Sequence, residues 1–190
     1  MLDNNGVVAL PLLVVISGPP GSGTTTLAHA LARAIPCPAI CRDEIKEGLV
    51  HTEDEYTPAP GDAMSHRTLD TFFAAVRLLI DSGVTLVAEA SFQHRVWEPG
   101  LLPLLDNARV RIVHCRVDAA VAWERVAKRA DETPARRAVH GDYDLLEPFE
   151  TFKQKFQSFD PIVLPVPSIQ VDTTDGYDPT VEGIVAFVSR

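Results

Sequence analysis

A glycine-rich turn between an apolar run and a helical pattern constrains this fold more than any other feature of the sequence. The apolar run, Leu12–Ile16, is short, continuous and rich in Val and Ile, which is typical of a strand buried on both faces of a parallel sheet. The turn is Gly18–Thr25, with the sequence GPPGSGTT. Apolar residues then recur at helical spacing from Leu27 to Ile35. The sequence therefore predicts strand, turn and helix in immediate succession.

A turn of this kind can hold phosphate groups through its backbone. Glycines let successive N–H groups point at phosphate oxygens, and the following helix offers the positive end of its dipole. The spacing is that of the phosphate-binding loop G-x-x-x-x-G-K-[ST], or P-loop, whose last hydroxyl meets Mg²⁺. Thr25 holds that position. We therefore expect nucleotide binding, with Mg²⁺ on Thr25, by Gly18, Gly21, Ser22, Gly23, Thr24, Thr25 and Thr26.

One position departs from this motif, because Thr24 stands where the lysine is expected. Lysine bridges the outer phosphates and offsets their charge during transfer. Threonine can donate a hydrogen bond but carries no charge. Binding of a nucleotide and transfer of its phosphate are therefore separate questions for this chain. The alternative for the whole segment is a glycine-rich turn without a ligand.

Strand-like runs alternate with helical patterns along the rest of the chain. Further strands are expected at Ala39–Cys41, at Val84–Ala88, within Arg109–Arg116 and near Ile169–Val171. Helices are expected at about residues 43–50, 62–81, 101–106 and 118–130, after a capping-box pattern at Asp144 and Glu147, and from about Pro179. This alternation predicts an α/β fold with a parallel sheet covered on both faces, whose ligands lie at the carboxyl ends of the strands. A length of 190 residues suits one domain, residues 1–190.

Composition excludes several classes of protein. A formal net charge of -9 argues against a nucleic-acid-coating surface, which needs clustered Lys and Arg. The three cysteines have no common zinc spacing and are expected to be reduced thiols of a cytoplasmic protein. No apolar run reaches the ~18–20 residues of a membrane span. The residues leave the oligomeric state open.

Two acidic residues follow predicted strands at the edge where the P-loop lies. Asp43 could accept the proton of an acceptor hydroxyl or orient that acceptor, or it could simply cap a helix. Glu89 closes a buried strand, where it could hold Mg²⁺ through water, or it could be a solvated strand end. Ser91, His94 and Arg95 follow Glu89 and could line an acceptor pocket.

Arginines cluster in the later part of the chain. Arg125 and Arg129 are four residues apart and share a helix face, and Arg136 lies in a polar, basic segment, Asp131–Asp142, that we expect to be mobile. Guanidinium groups on a lid, at about residues 130–142, could close over the phosphates and stabilise spreading negative charge. The alternative is an ordinary surface helix with a Glu124–Lys128 pair.

With these residues the chain resembles the small P-loop kinases of the AAA-family-ATPase, zeta-toxin and chloramphenicol-phosphotransferase-like group. The resemblance rests on residues 18–25, 42–45, 87–91, 114–129 and 171–175. It implies a three-layer fold with a five-stranded parallel sheet in the order 2-3-1-4-5, helices on both faces and a small lid bearing arginines.

The resemblance also implies a chemistry. It implies ATP and Mg²⁺, with Asp43 at the position that activates the acceptor and with Arg125, Arg129 and Arg136 at lid positions. Asp172 and Thr173, in Val171–Asp175, would lie near the adenine. Two positions depart from the group: Thr24 replaces its lysine, and Glu89 stands where many members carry Asp. Some cytidylate kinases are similar in having Gly-Thr-Thr at this place.

The leading hypothesis is an ATP-dependent phosphotransferase that acts on a hydroxyl of a small molecule. A non-catalytic nucleotide-binding regulator is the alternative that Thr24 favours. A polynucleotide 5′-kinase is a further alternative, which the acidic balance and the lack of a basic aromatic groove disfavour. The residues leave the acceptor and the choice between ATP and GTP open.

Overall fold

A computed structural model of the chain describes residues 10–59, 61–132, 134–140 and 148–190. These residues form a five-stranded sheet in the order β2-β3-β1-β4-β5, in which every neighbouring pair is parallel. Its strands are β1 (Leu12–Ser17), β2 (Ala39–Cys41), β3 (Leu86–Glu89), β4 (Arg109–Arg116) and β5 (Ser168–Asp172). The predicted α/β class and strand order are confirmed.

Helices cover both faces of this sheet. They are α1 (Thr24–Ala34), α2 (Arg42–Val50), α3 (Ala63–Asp81), α4 (His94–Leu101), α5 (Ala119–Glu132), α6 (Pro134–His140), α7 (Phe149–Gln157) and α8 (Val181–Val188). All six residues of β1 are buried, because the strand lies at the centre of the sheet. One core packs α3 and α4 against one face, and a second core packs α1 and α8 against the other. The three predicted layers are therefore present.

The segment after β3 differs from its prediction. The sequence alone predicts a loop or helix start over Ser91–Pro99 and a helix at residues 101–106. Instead α4 comes first, and a single 3₁₀ turn, Leu102–Leu104, follows it. The reason is tertiary: the indole of Trp97 is fully buried and its N–H donates to Ser17 Oγ at 3.1 Å. This packing outweighs the low helix propensity of Pro99.

The predicted lid segment is largely helical in the described residues. α5 continues to Glu132, and α6 covers Pro134–His140. The predicted capping box at Asp144 and Glu147 lies outside the described residues. Within the part of the chain that is described, no helix has both the length and the apolar character that a membrane span requires.

Candidate functional site

The turn between β1 and α1 has a backbone that only glycine accommodates easily. Gly21 and Gly23 have φ angles of 83° and 74°, in the left-handed region. A Cβ on Gly21 would lie 2.6 Å from the carbonyl oxygen of Ala122, and a Cβ on Gly18 would lie 2.8 Å from that of Cys115. Conformation therefore requires glycine at positions 21 and 23. Close packing against β4 and α5 requires it at positions 18 and 21.

This turn forms one wall of a cavity of about 240 Å³. The wall contains Pro20, Gly21, Gly23 and the three threonines that begin α1. Six further residues complete the cavity: Asp43, Glu89, Ser91, Arg129, Arg136 and His140. The start of α1 faces this space with its free N–H groups and positive dipole end. The arrangement can hold an anionic group such as a phosphate.

Glu89 ends β3 beside the threonines and is only 3% exposed. Thr25 Oγ1 donates to its carboxylate at 3.3 Å, and Thr24 also hydrogen-bonds to it. Burial raises the pKa of Glu89 to about 7, although the hydrogen bonds from Thr24 and Thr25 oppose this shift. A cation would favour the ionised carboxylate. Thr25 and Glu89 therefore offer adjacent oxygen ligands of the kind that Mg²⁺ prefers.

Asp43 lies in the first turn of α2, directly after β2. Its carboxylate accepts from Arg42 at 3.0 Å and from Arg136 at 2.7 Å. Burial raises the pKa of Asp43, but the charges of His140, Arg136 and Arg42 outweigh burial and hold the pKa below its ordinary value. Asp43 is therefore ionised at neutral pH. The alternative role as a helix N-cap is wrong, because that position belongs to Cys41.

The two predicted helix arginines occupy different environments. Arg129 lines the cavity, and its Nε is buried without a hydrogen-bond partner among the described residues. Arg125 instead donates to the carbonyl oxygens of Thr173 and Thr174, at 2.7 and 3.1 Å. A buried donor without a partner is rare in folded proteins. Arg129 therefore has a donor that no described residue satisfies, whereas Arg125 ties α5 to the segment after β5.

Arg136 joins the predicted lid to the rest of the cavity. Besides Asp43, its guanidinium contacts Glu47, which lies one turn further along α2. His140, one turn after Arg136 on α6, also contacts Glu47, at 3.0 Å. Glu47 and His140 were not predicted as site residues. Their spacing could have indicated them. Glu47 follows Asp43 by four residues and His140 follows Arg136 by four, so each pair lies on one helix face.

The predicted adenine-binding residues do not line this cavity. Thr173 is buried, and its hydroxyl donates to the carbonyl oxygens of Ser22 and Arg116, at 2.8 and 3.1 Å. Asp172 accepts from the backbone N–H of Thr174 at 2.8 Å. Hydrogen bonds from Thr174 are the main cause that lowers the pKa of Asp172. In this structure Thr173 therefore holds the P-loop in place, and Asp172 shapes the turn beside it.

Comparison with known proteins places this geometry in a family. The AAA domain family matches residues 13–147 of the chain, and no curated protein gives a significant match. Among solved structures, a candidate kinase from Chloroflexus aurantiacus J-10-fl is 21% identical with a TM-score of 0.82, covering 95% of this chain and 98% of that one.

Two further solved structures have the same fold at lower similarity. A gluconokinase from Sinorhizobium meliloti 1021 is 17% identical with a TM-score of 0.61, covering 95% of this chain and 93% of that one. An APS kinase from Mycobacterium tuberculosis is 14% identical with a TM-score of 0.59, and the match covers 95% of this chain and 98% of that one. That structure was solved in complex with AMPPNP and APS. The chain therefore has the P-loop kinase fold.

Proposed function

Since this chain belongs to the AAA domain family, we propose that it is an ATP-dependent kinase that transfers the γ-phosphate to a hydroxyl of a small molecule. The single observation that carries the proposal is the composition of the 240 Å³ cavity. Its walls bring together a phosphate-binding turn, a pair of oxygen ligands for a cation, an ionised carboxylate and two arginines. Each group has a distinct task in phosphoryl transfer.

ATP would lie along Gly18–Thr25, with its phosphates against the backbone N–H groups of the turn and the start of α1. Thr25 and Glu89 would hold Mg²⁺, which supplies positive charge to the phosphate oxygens. The unpartnered Nε of Arg129 would donate to a phosphate oxygen, and this contact would satisfy its buried donor. Arg129 and Arg136 would supply the positive charge that Thr24 lacks.

Asp43 would orient the acceptor. Because its carboxylate is ionised, it can accept a hydrogen bond from the acceptor hydroxyl and direct the oxygen at the γ-phosphorus. As the new P–O bond forms, the bond between the γ-phosphorus and the ADP oxygen breaks, and the hydroxyl proton passes to Asp43. The low pKa makes Asp43 a weak base, so its main contribution is orientation, in keeping with a loose transition state that needs little proton abstraction.

Thr24 favours a second candidate, a nucleotide-binding protein that does not transfer phosphate. Its side chain is 6% exposed and hydrogen-bonds to Glu89. A threonine hydroxyl is uncharged, so Thr24 cannot offset phosphate charge as a lysine would. Its hydrogen bond also occupies Glu89, the candidate magnesium ligand. This candidate predicts affinity for ATP without turnover for any acceptor.

The test is a transfer assay with γ-labelled ATP and Mg²⁺ against a panel of sugars, sugar acids, amino sugars and a 5′-hydroxyl oligonucleotide. We expect label in a small molecule with the wild type, loss of transfer in Asp43→Asn and unchanged ATP affinity in that variant. Asp70→Asn, on the exposed side of α3, is the matched control and should behave as the wild type.

Each other outcome points to a different account. Full transfer by Asp43→Asn would overturn the role of this residue. Binding of ATP without transfer to any acceptor would support the non-catalytic candidate. Label in the oligonucleotide alone would identify a polynucleotide 5′-kinase.

A further inference from the structure

A second group of potential ligands lies where α1, β2 and α2 meet. It consists of His29 on α1, Cys41 at the end of β2 and Glu44 in the first turn of α2. His29 Nε2 lies 2.6 Å from Glu44 Oε1 and 3.8 Å from Cys41 Sγ. The three ligand atoms all lie within 4.8 Å of one another. Residues from three separate elements thus bring a nitrogen, a sulfur and an oxygen close together.

These separations approach those around a tetrahedral metal ion. Zinc bonds of about 2.0–2.3 Å to nitrogen, oxygen and sulfur place neighbouring ligand atoms roughly 3.3–3.6 Å apart. The separation of 3.8 Å between His29 and Cys41 is close to this range. The contact of 2.6 Å between His29 and Glu44 is a hydrogen bond that would have to open by less than about 1 Å. The side chain of Glu44 is 45% exposed, so solvent lies on one side of it.

The exposure of the three residues matches an open coordination site. Cys41 is 2% exposed and fixed in the core, whereas the side chains of His29 and Glu44 are 39% and 45% exposed. An ion held by all three would thus have a protein wall on one side and water on the other. Burial, and then the negative charges of Glu89, Glu44 and Asp43, raise the pKa of the Cys41 thiol, so the thiol stays protonated until a cation offsets those charges. The negative charge of the three carboxylates attracts a dication.

We propose that His29, Cys41 and Glu44 bind a divalent transition-metal ion of the zinc class, with water as the fourth ligand. Thiolate and imidazole ligands select such ions over Mg²⁺, which prefers oxygen ligands. On binding, the bond from Cys41 Sγ to the metal forms as the thiol proton passes to solvent. Its ligands differ from the candidate Mg²⁺ ligands Thr25 and Glu89, although the Cys41 thiol also interacts with the Glu89 carboxylate. The proposal does not depend on the proposed kinase activity.

The test uses the full chain after treatment with EDTA and dialysis. Co²⁺ is added in steps while absorption is recorded, because a thiolate bound to Co²⁺ gives a charge-transfer band in the near ultraviolet. We expect this band to saturate at one equivalent and to disappear when Zn²⁺ displaces Co²⁺. Cys41→Ser should abolish the band, and Cys37→Ser, which changes a nearby cysteine outside the cluster, should leave it intact.

Cys41 is buried, so Cys41→Ser could fail to fold. Two variants at more exposed positions test the site independently of that variant. His29→Ala and Glu44→Gln, checked by circular dichroism, should each weaken Zn²⁺ binding by more than the roughly 10–100-fold that loss of an outer-shell partner costs. Thr25→Val should keep the Co²⁺ band, because Thr25 is not one of the three proposed ligands. A wild type without a thiolate band, or unchanged Zn²⁺ affinity in both His29→Ala and Glu44→Gln, would overturn the proposal.

Discussion

The carboxylate of Asp43 and the guanidinium of Arg136 lie 2.7 Å apart, although 93 residues separate them in the chain. The pair joins α2 to α6, and both residues line the cavity beside the P-loop. Arg136 therefore has two effects. It holds the predicted lid against the rest of the site, and it helps keep Asp43 ionised.

Arg136→Ala is expected to destabilise the protein. The change removes charged hydrogen bonds to Asp43 and Glu47. A hydrogen bond to a charged group contributes about 1.5–3 kcal/mol to the free energy of unfolding. Urea unfolding at pH 7 would measure the loss. Lys128→Ala, at an exposed position on α5, is the control and should stay within about 0.5 kcal/mol of the wild type. Equal stability of the two variants would show that the Asp43–Arg136 contact contributes nothing.

The two arginines of α5 should separate affinity from stability. Arg129→Ala removes an unpartnered buried donor, so it should weaken ATP binding by about tenfold or more with little effect on Tm. Arg125→Ala removes two hydrogen bonds to backbone carbonyls and should lower Tm. Calorimetric titration and thermal unfolding of both variants would check this. If Arg125→Ala weakened ATP binding and Arg129→Ala lowered Tm, the two assigned roles would be wrong.

Asp62→Ala should lower the free energy of unfolding by about 1 kcal/mol. Asp62 is the N-cap of α3, and its carboxylate accepts a hydrogen bond from the backbone N–H of Ser65. Burial raises the pKa of Asp62, but hydrogen bonds from Tyr56 and Ser65 outweigh burial and lower it. Its contribution is therefore present above the ordinary pKa of an unfolded aspartate and is lost as pH falls through the folded value. Unfolding at pH 7 and in acid would show the gap to the wild type narrowing. Asp70→Ala, an exposed control on the same helix, should show no such gap.

Glu89 should make the metal-free protein less stable as pH rises. Burial raises the pKa of Glu89 from 4.5 to about 7, so the unfolded state loses its proton first. Stability should fall by about 3 kcal/mol between these two values and then level off. Glu89→Gln removes the titration. The free energy of unfolding should be measured in EDTA at pH 5 and pH 8 for both proteins. Relative to Glu89→Gln, the wild type should be less stable at pH 8 than at pH 5. A constant difference would rule out the raised pKa.

Much of the fold could be predicted from local patterns. Strands are predicted at Leu12–Ile16, Ala39–Cys41 and Val84–Ala88, within Arg109–Arg116 and near Ile169–Val171, and the structure contains a strand at each of these places. The end of α4 could not be predicted: this helix runs over His94–Leu101, and only a 3₁₀ turn follows where a helix was expected at residues 101–106. The position of α4 depends on the contact between Trp97 and Ser17, 80 residues away in the chain. A local pattern contains no information about such a partner.

The site was predictable to the extent that side chains follow strand ends. Asp43, Glu89 and Thr25 all lie around one cavity, as their positions after successive strands indicated. The contacts of Arg125 and Thr173 were not predictable, because both bind backbone carbonyl oxygens, which every residue type presents. The catalytic and nucleotide-binding roles of these residues stay predictions.

The proposed function requires that the turn Gly18–Thr25 binds ATP without the lysine of the motif. Calorimetric titration with ATP, with and without Mg²⁺, tests it on the wild type and on Thr24→Lys. We predict that the wild type binds one equivalent of ATP more tightly with Mg²⁺ than without it. If the wild type does not bind and only Thr24→Lys does, the turn is a degenerate P-loop and the proposed kinase activity is contradicted.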